Sequence, residues 1–195
     1  YFAADEKNVK MNILTIGQGG LTLGQKDYYV NNDPATVAIR EAFRKHIARM
    51  FRLYGFNEAQ ADARRDAIFR METALALVSK SATELRDPQA NYNKMTLKEF
   101  KENYPNINLE AMANAEGVKS AYIQEMIVGQ PGFMEGYDKL YAAATADDLR
   151  ALIEWDIIQS SASYLTNEIR LANFDFFGKT MSGRKEEYPL WKRAF

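Results

Sequence analysis

The sequence predicts a mainly α fold: a multi-helix lobe with antiparallel helix pairs and at most two short strands. Three observations carry that prediction. Capped segments with apolar residues at helical spacing recur along the 195 residues. The first two such segments are separated by one short turn at Gly55, and helix, short turn, helix implies an antiparallel pair. Only residues 9–16 and 122–128 read as β-prone.

Residues 9–16 alternate roughly, as a short strand does. Gly17-Gln18-Gly19-Gly20 breaks that pattern and reads as a tight turn needing positive φ. Asp33-Pro34 opens the first clear helix: Asp caps free amides, and Pro suits the first helical position because its missing N–H has no partner there anyway. Ile39, Phe43, Ile47, Met50 and Tyr54 then share a face, and Gly55 ends the helix. Asn57-Glu58-Ala59-Gln60 resembles a capping box for a second helix, with Ile68, Met71, Leu75 and Val78 on one side. Arg86-Asp87-Pro88 is a helix stop.

Thr96-Leu97-Lys98-Glu99 is another capping box, starting a short helix to about Glu102 that Tyr104-Pro105-Asn106 ends. Residues 108–117 are ambiguous, with one more short helix as the option. Gln130-Pro131-Gly132 closes the second strand, and Phe133 to Ala144 is helix-prone. Thr145-Ala146-Asp147-Asp148 caps the last long helix, expected to continue to about Leu171. The tail, residues 173–195, is aromatic-rich and reads as a helix or loop that docks elsewhere, leaving Phe176, Phe177 and Trp191 some exposure. There is no repeat at 30–50 residues, no low-complexity segment and no linker.

Composition narrows the function classes. Hydrophobic residues at 47% and charged residues at 26% are those of a folded protein, not a disordered one. Lys and Arg number 25 against 26 Asp and Glu, so no long-range field draws the chain to nucleic acid or an anionic membrane. Lys179, Arg184, Lys185, Lys192 and Arg193 are broken up by Glu186, Glu187 and aromatics and read as a solvated surface. Cysteine is absent, which excludes disulfides, thiolate metal sites and a Cys nucleophile without fixing the compartment. The longest dense apolar stretch, around Ala74 to Val78, is far short of the ~20 residues of a membrane helix. The start at Tyr1 and the end at Phe195 both read as cut from something longer.

No residue earns a catalytic, cofactor-binding or metal-ligating assignment. His46 is the single histidine, on the face of Phe43 and Met50, and reads as a core or boundary residue with a hydrogen-bond partner, since metal sites gather several ligands. The glycine cluster lacks Gly-Lys-Ser/Thr and has Thr22 where a dinucleotide fingerprint wants Gly. Asp147/Asp148 and Glu186/Glu187 are adjacent pairs that point apart on a helix, so neither is a ready acid/base dyad. Glu72 reads as a salt-bridge partner of an Arg or Lys, and Ser160-Ser161, with no nearby base, as helix filler.

Several segments in collinear order resemble the N-terminal region of the neprilysin family of zinc metallopeptidases. Gln18-Gly19-Gly20-Leu21-Thr22-Leu23 leading to Asp27-Tyr28-Tyr29 resembles that family's Gln, Leu-x-Leu, Asp-Tyr-Tyr pattern. Glu72-Thr73-Ala74-Leu75-Ala76 resembles its Glu-x-x-Leu/Ile-Ala helix. Arg86-Asp87-Pro88 with Tyr92-Asn93-Lys94-Met95-Thr96-Leu97 is the most specific match. Trp155 with Leu165 sits where the family has a long Trp-containing helix, and Phe176-Phe177-Gly178, Gly183 and Trp191-Lys192-Arg193 resemble the segment before the catalytic half. Ala194 stands where animal members have Cys, which points to a bacterial member.

The resemblance implies that residues 1–195 are part of the N-terminal helical domain of a larger peptidase. Zinc then belongs to the parent enzyme and none is bound by this fragment, because the family's His-Glu-x-x-His and downstream Glu have no match here. It implies a covering lobe that restricts access to small peptide substrates and partners the missing catalytic domain, at an extracytoplasmic location. No nucleic-acid partner and no membrane segment is expected in this chain. The alternatives are a stand-alone helical peptide- or protein-binding module, or a lobe of an inactive pseudo-peptidase.

Overall fold

The structure is a computed structural model that describes residues 1–193. In chain order its elements are β1 (Phe2–Asp5), β2 (Asn8–Ile16), α1 (Asp27–Val30), α2 (Pro34–Leu53), α3 (Glu58–Val78), β3 (Lys94–Thr96), α4 (Leu97–Asn103), α5 (Leu109–Ala115), β4 (Glu125–Val128), α6 (Pro131–Ala143), α7 (Ala146–Ser161), α8 (Asn167–Asn173), a π-helix (Phe174–Met181) and α9 (Leu190–Arg193). The fold is mainly α, as the sequence predicts. The chain divides into two compact units, one of Tyr1–Lys26 with Ala74–Ala144, the other of Asp27–Thr73 with Thr145 onward.

The first unit carries a sheet of order β1-β2-β4-β3, so the expectation of at most two strands is corrected to four. The two extra strands have only four and three residues, too few to show alternation. They exist because partners distant in sequence complete their ladders: Phe2 opposes Leu14 and Met95 opposes Met126, both antiparallel, while Leu14 pairs Met126 in parallel. The β1–β2 turn is held by Asp5, whose Oδ1 accepts from the Lys7 amide at 2.9 Å. β3 hides inside a capping box: Thr96 Oγ1 accepts from the Glu99 amide at 3.2 Å, and Glu99 Oε2 accepts from the Thr96 amide at 2.7 Å. The expected strand over 122–128 is shorter, because Ser120–Ile123 form a 3-10 turn ahead of β4. Residues 108–117 resolve into α5, capped by Asn108.

The core of this unit is Phe100, Ile123, Met126 and Val128, each almost fully buried, with Phe133 of α6 against them. Burying a side chain of this kind contributes roughly 1.5–3 kcal/mol. α6 passes so close to the end of α3 that a Cβ on Gly136 would lie 2.6 Å from Val78 Cγ1.

In the second unit Asp33 caps α2 by accepting from the Thr36 amide at 3.0 Å, Pro34 takes the first turn, and Gly55 follows the helix at φ +94°. The Asn57 and Gln60 side chains and amides bond reciprocally at 2.9 and 3.1 Å to start α3. Phe51 meets Arg64, and Arg44 meets Asp66 and Phe69, so the two helices run antiparallel. The expected helix to Leu171 instead breaks after Ser161. Leu165 is extended and Thr166 caps α8 through the Ile169 amide at 3.4 Å, a cap signal that the apolar pattern obscures. The tail docks on its own unit: Phe176 is 3% exposed and lies 5.6 Å from the Phe43 ring, which in turn lies 6.1 Å from Trp155. The expected exposure of Phe176 is thus wrong, Phe177 is half-buried, and Trp191 is exposed at 68%. Ala194 and Phe195 lie outside the described residues.

Candidate functional site

Gln18, one of the residues that carry the resemblance, lies in the first unit in the turn after β2. Gln18 is the hub. Its side-chain amide and the Lys80 backbone exchange two hydrogen bonds, Lys80 N–H to Oε1 at 2.8 Å and Nε2 to the Lys80 carbonyl at 2.9 Å. Its own amide donates to Gln130 Oε1 at 2.8 Å, and Gln130 Nε2 donates to Asn91 Oδ1 at 3.1 Å. Lys26 closes the far side by donating to the Ser79 carbonyl at 2.7 Å. Of the turn glycines, Gly20 takes positive φ, +82°, while Gly17 and Gly19 do not. Sequence reasoning singled out Gln18 but missed Gln130 and Asn91, because nothing local marks a pairing 112 residues apart.

That turn borders an open cavity of about 680 Å³. Leu14, Ile16, Leu75, Met112, Phe133 and Tyr137 contribute to its wall, and among the described residues Glu116 is the only charged lining side chain. Such a surface offers chiefly shape and apolar contact.

The other residues weighed in the sequence serve structure. His46 is 5% exposed, stacked on Phe176 at 4.8 Å and edge-on to Trp155 and Phe177. Burial, and then the charge of Arg49, push its pKa down to about 3, so the ring is neutral. Among the described residues its Nε2 has no hydrogen-bond partner, contrary to the expected partnered histidine. Glu72 accepts from the Tyr29 hydroxyl, a donor the sequence reading of an Arg or Lys partner did not consider. Asp148 closes the capping box of α7 by accepting from the Thr145 amide and takes Arg70, while Asp147 pairs with Arg150 at 2.6 Å, so the two carboxylates serve different partners. Glu187 pairs with Arg170, and Ser161 shares a hydrogen bond of 3.1 Å with the Tyr54 hydroxyl. Among the described residues no three His, Cys, Asp or Glu side chains form a group able to hold a metal ion, and no helix is long and apolar enough to cross a membrane.

Comparison with known proteins places this geometry. The N-terminal model of peptidase family M13 matches residues 1–195. Endothelin-converting enzyme 1 of Cavia porcellus is 25% identical over 195 residues, covering 98% of this chain and 26% of the relative. Neutral endopeptidase of Lactobacillus helveticus is 24% identical, covering 98% of this chain and 29% of the relative. The crystal structure of Mycobacterium tuberculosis zinc metalloprotease ZMP1 in complex with inhibitor superposes with a TM-score of 0.94 at 27% identity, over all of this chain and 29% of that one. The chain thus spans about a quarter of the length of the curated relatives it matches.

Proposed function

The chain belongs to peptidase family M13, and on that premise we propose that it is a covering, substrate-restricting lobe of a zinc metalloendopeptidase that hydrolyses small peptides. The observation that carries this reading is a match along the whole chain to relatives roughly four times longer, in a sequence whose single histidine is neutral and caged by aromatics. The donor set of these residues does not fit zinc, which wants three or four His, Cys or carboxylate ligands converging on one point. No step of peptide hydrolysis is therefore assigned to this chain. In the parent enzyme zinc would supply Lewis-acid chemistry for peptide hydrolysis and would be held by residues outside this chain.

Two features suit the covering role. The helix pair of α2 and α3 is fixed by caps at its start and turn and by the Arg44–Asp66 ion pair, and Arg64 ties α3 to Glu154 of α7, which gives a stiff wall. The apolar cavity beside Gln18 is a surface for peptide side chains or for the remaining polypeptide. An extracytoplasmic location follows from the family resemblance.

The test compares the full-length protein with the 195-residue chain. Zinc content and chelator-sensitive cleavage of short peptides are expected in the former alone. Cleavage by the purified 195-residue chain would overturn the reading. A full-length protein without zinc-dependent cleavage would transfer it to a pseudo-peptidase lobe.

A further inference from the structure

α7 carries apolar residues on two opposite sides. One side, with Ala151, Trp155 and Ile158, is buried in the second unit. On the other, Leu149, Ile153 and Ile157 follow one another at spacings of four, which sets them in one row along the helix. Leu149 is half-buried, but Ile153 is 61% exposed and Ile157 57%. The other long helices of this unit are built differently. Neither α2 nor the Glu58–Thr73 stretch of α3 leaves a large apolar side chain exposed among the described residues. A lone surface isoleucine needs no explanation, whereas a row on a helix whose other side is already buried marks a contact.

A row at spacings of four is the ridge that helix packing sets into the groove of a facing helix. The charges of α7 say what else that helix carries. Asp147 pairs with Arg150, Asp148 with Arg70 and Glu154 with Arg64. Asp156, one turn on from Ile153 along the exposed side, has no ion-pair partner among the described residues. A carboxylate beside an apolar contact is tolerated when a cation meets it as water leaves. A second copy of this chain does not supply that cation: in a twofold antiparallel pairing through this row, the same flank of each helix meets its own copy, and Asp156 would face Asp156. The polypeptide outside these residues is the remaining source. This chain covers 26% and 29% of the relatives it matches, so in a protein of their length most of the polypeptide lies outside it.

We propose that the row of Leu149, Ile153 and Ile157 seats a helix of the same polypeptide from outside residues 1–195, packed ridge into groove and carrying a Lys or Arg against Asp156. This rests on the reading above that the chain is one lobe of a longer protein, and not on that protein's being catalytically active.

The experiment uses the purified full-length protein with p-benzoyl-L-phenylalanine in place of Ile153 or, in a second variant, of Ser160. Ser160 lies on the same exposed side, and its replacement leaves the isoleucines intact. The protein is irradiated, digested and read by mass spectrometry. The expected product keeps the mass of one polypeptide and joins position 153 or 160 to a segment outside residues 1–195. Products confined to residues 1–195, a product joining two copies, or no protein crosslink from either position would overturn the proposal. Hydrogen–deuterium exchange over residues 149–160 of the full-length protein reads the charge. On a bare solvent face Asp156→Lys leaves exchange unchanged or slows it, since Lys is the better helix former and suits the C-terminal half of a helix. Against a basic partner it is expected to speed exchange about fivefold, as for the loss of one ion pair. Unchanged or slower exchange would overturn the assignment of a Lys or Arg. Zinc-dependent cleavage of short peptides by the same protein reports separately on the peptidase reading: a crosslinked but inactive protein would sink that reading and leave this contact standing.

Discussion

The Tyr29 hydroxyl donates to Oε2 of Glu72, a carboxylate only 2% exposed within the second unit. A buried charge is tolerated when hydrogen bonds replace its water. Arg40 adds order by donating from its guanidinium to the Tyr29 carbonyl at 2.5 Å, and Phe69 stacks on the Tyr29 ring at 6.3 Å. Two words of the sequence, Asp27-Tyr28-Tyr29 and Glu72-Thr73-Ala74-Leu75-Ala76, therefore meet at the Tyr29–Glu72 hydrogen bond. Tyr29→Phe is expected to cost about 1.5–3 kcal/mol, the range for a bond to a charged group. A double-mutant cycle with Glu72→Gln by urea denaturation is expected to give a coupling of at least about 1 kcal/mol. Additive effects would mean that the pair does not act as one unit.

The Gln18 side chain acts as a surrogate strand for the chain leaving α3. Gln18→Leu leaves the Lys80 N–H and C=O without the two bonds they make at 2.8 and 2.9 Å. At about 0.5–1.5 kcal/mol per neutral bond, a loss of about 1–3 kcal/mol is expected. Exchange of the Lys80 amide is the local readout: it is expected to rise well before global unfolding, and unchanged protection would show another acceptor in place.

What the sequence showed and what it hid follow one physical divide. Asp33-Pro34, Asn57 to Gln60, Thr96 to Glu99 and Thr145 to Asp148 were legible because a cap is a bond between residues three apart, so its chemistry is written locally. β1 and β3 were not, because strands of three or four residues are specified by partners such as Leu14 and Met126 far along the chain. The break at Thr166 was written locally, but apolar residues at helical spacing on both sides, Ile158, Leu165 and Ile169, read through it as one helix. In the cavity beside Gln18, Leu14 and Ile16 were visible as strand residues, yet nothing placed them opposite Met112 and Tyr137. Asn173 Oδ1, buried and without a partner among the described residues, had no sequence signal at all, since being unpartnered is a property of packing.

The crossing of α6 over α3 predicts a paired effect. Gly136→Ala would put a methyl 2.6–2.8 Å from the Val78 side-chain carbons, including its Cβ, which cannot swing away by a rotamer change. The expected cost is about 1–3 kcal/mol, as for other overpacked sites. Val78 is 37% exposed, so trimming it loses little burial. Val78→Ala in the Gly136→Ala background is expected to recover only part of the loss by thermal or urea unfolding, because it removes the two Cγ contacts and keeps the Cβ contact at 2.8 Å. If it recovers nothing, the clash lies elsewhere.

The last prediction concerns pH. Within its aromatic cage His46 has a pKa of about 3, against 6.5 in the unfolded chain, chiefly because burial disfavours the charged ring. Arg49 on α2 adds to that depression and Asp175 on the π-helix opposes it. The unfolded chain thus binds more protons than the folded one between those two values. By linkage, the stability due to a neutral His46 is fully present above pH 6.5 and is lost as pH falls towards 3, at up to ~1.4 kcal/mol per pH unit. Carboxylates titrate in the same region, so the comparison must be internal. His46→Phe keeps a ring to stack on Phe176 and removes the titrating nitrogen. Between pH 7 and 5 the natural chain is expected to lose about 2 kcal/mol more unfolding free energy than the variant. Equal losses in the two proteins would mean that the ring takes a proton without leaving its cage, by local opening or through water, and that burial does not hold it neutral.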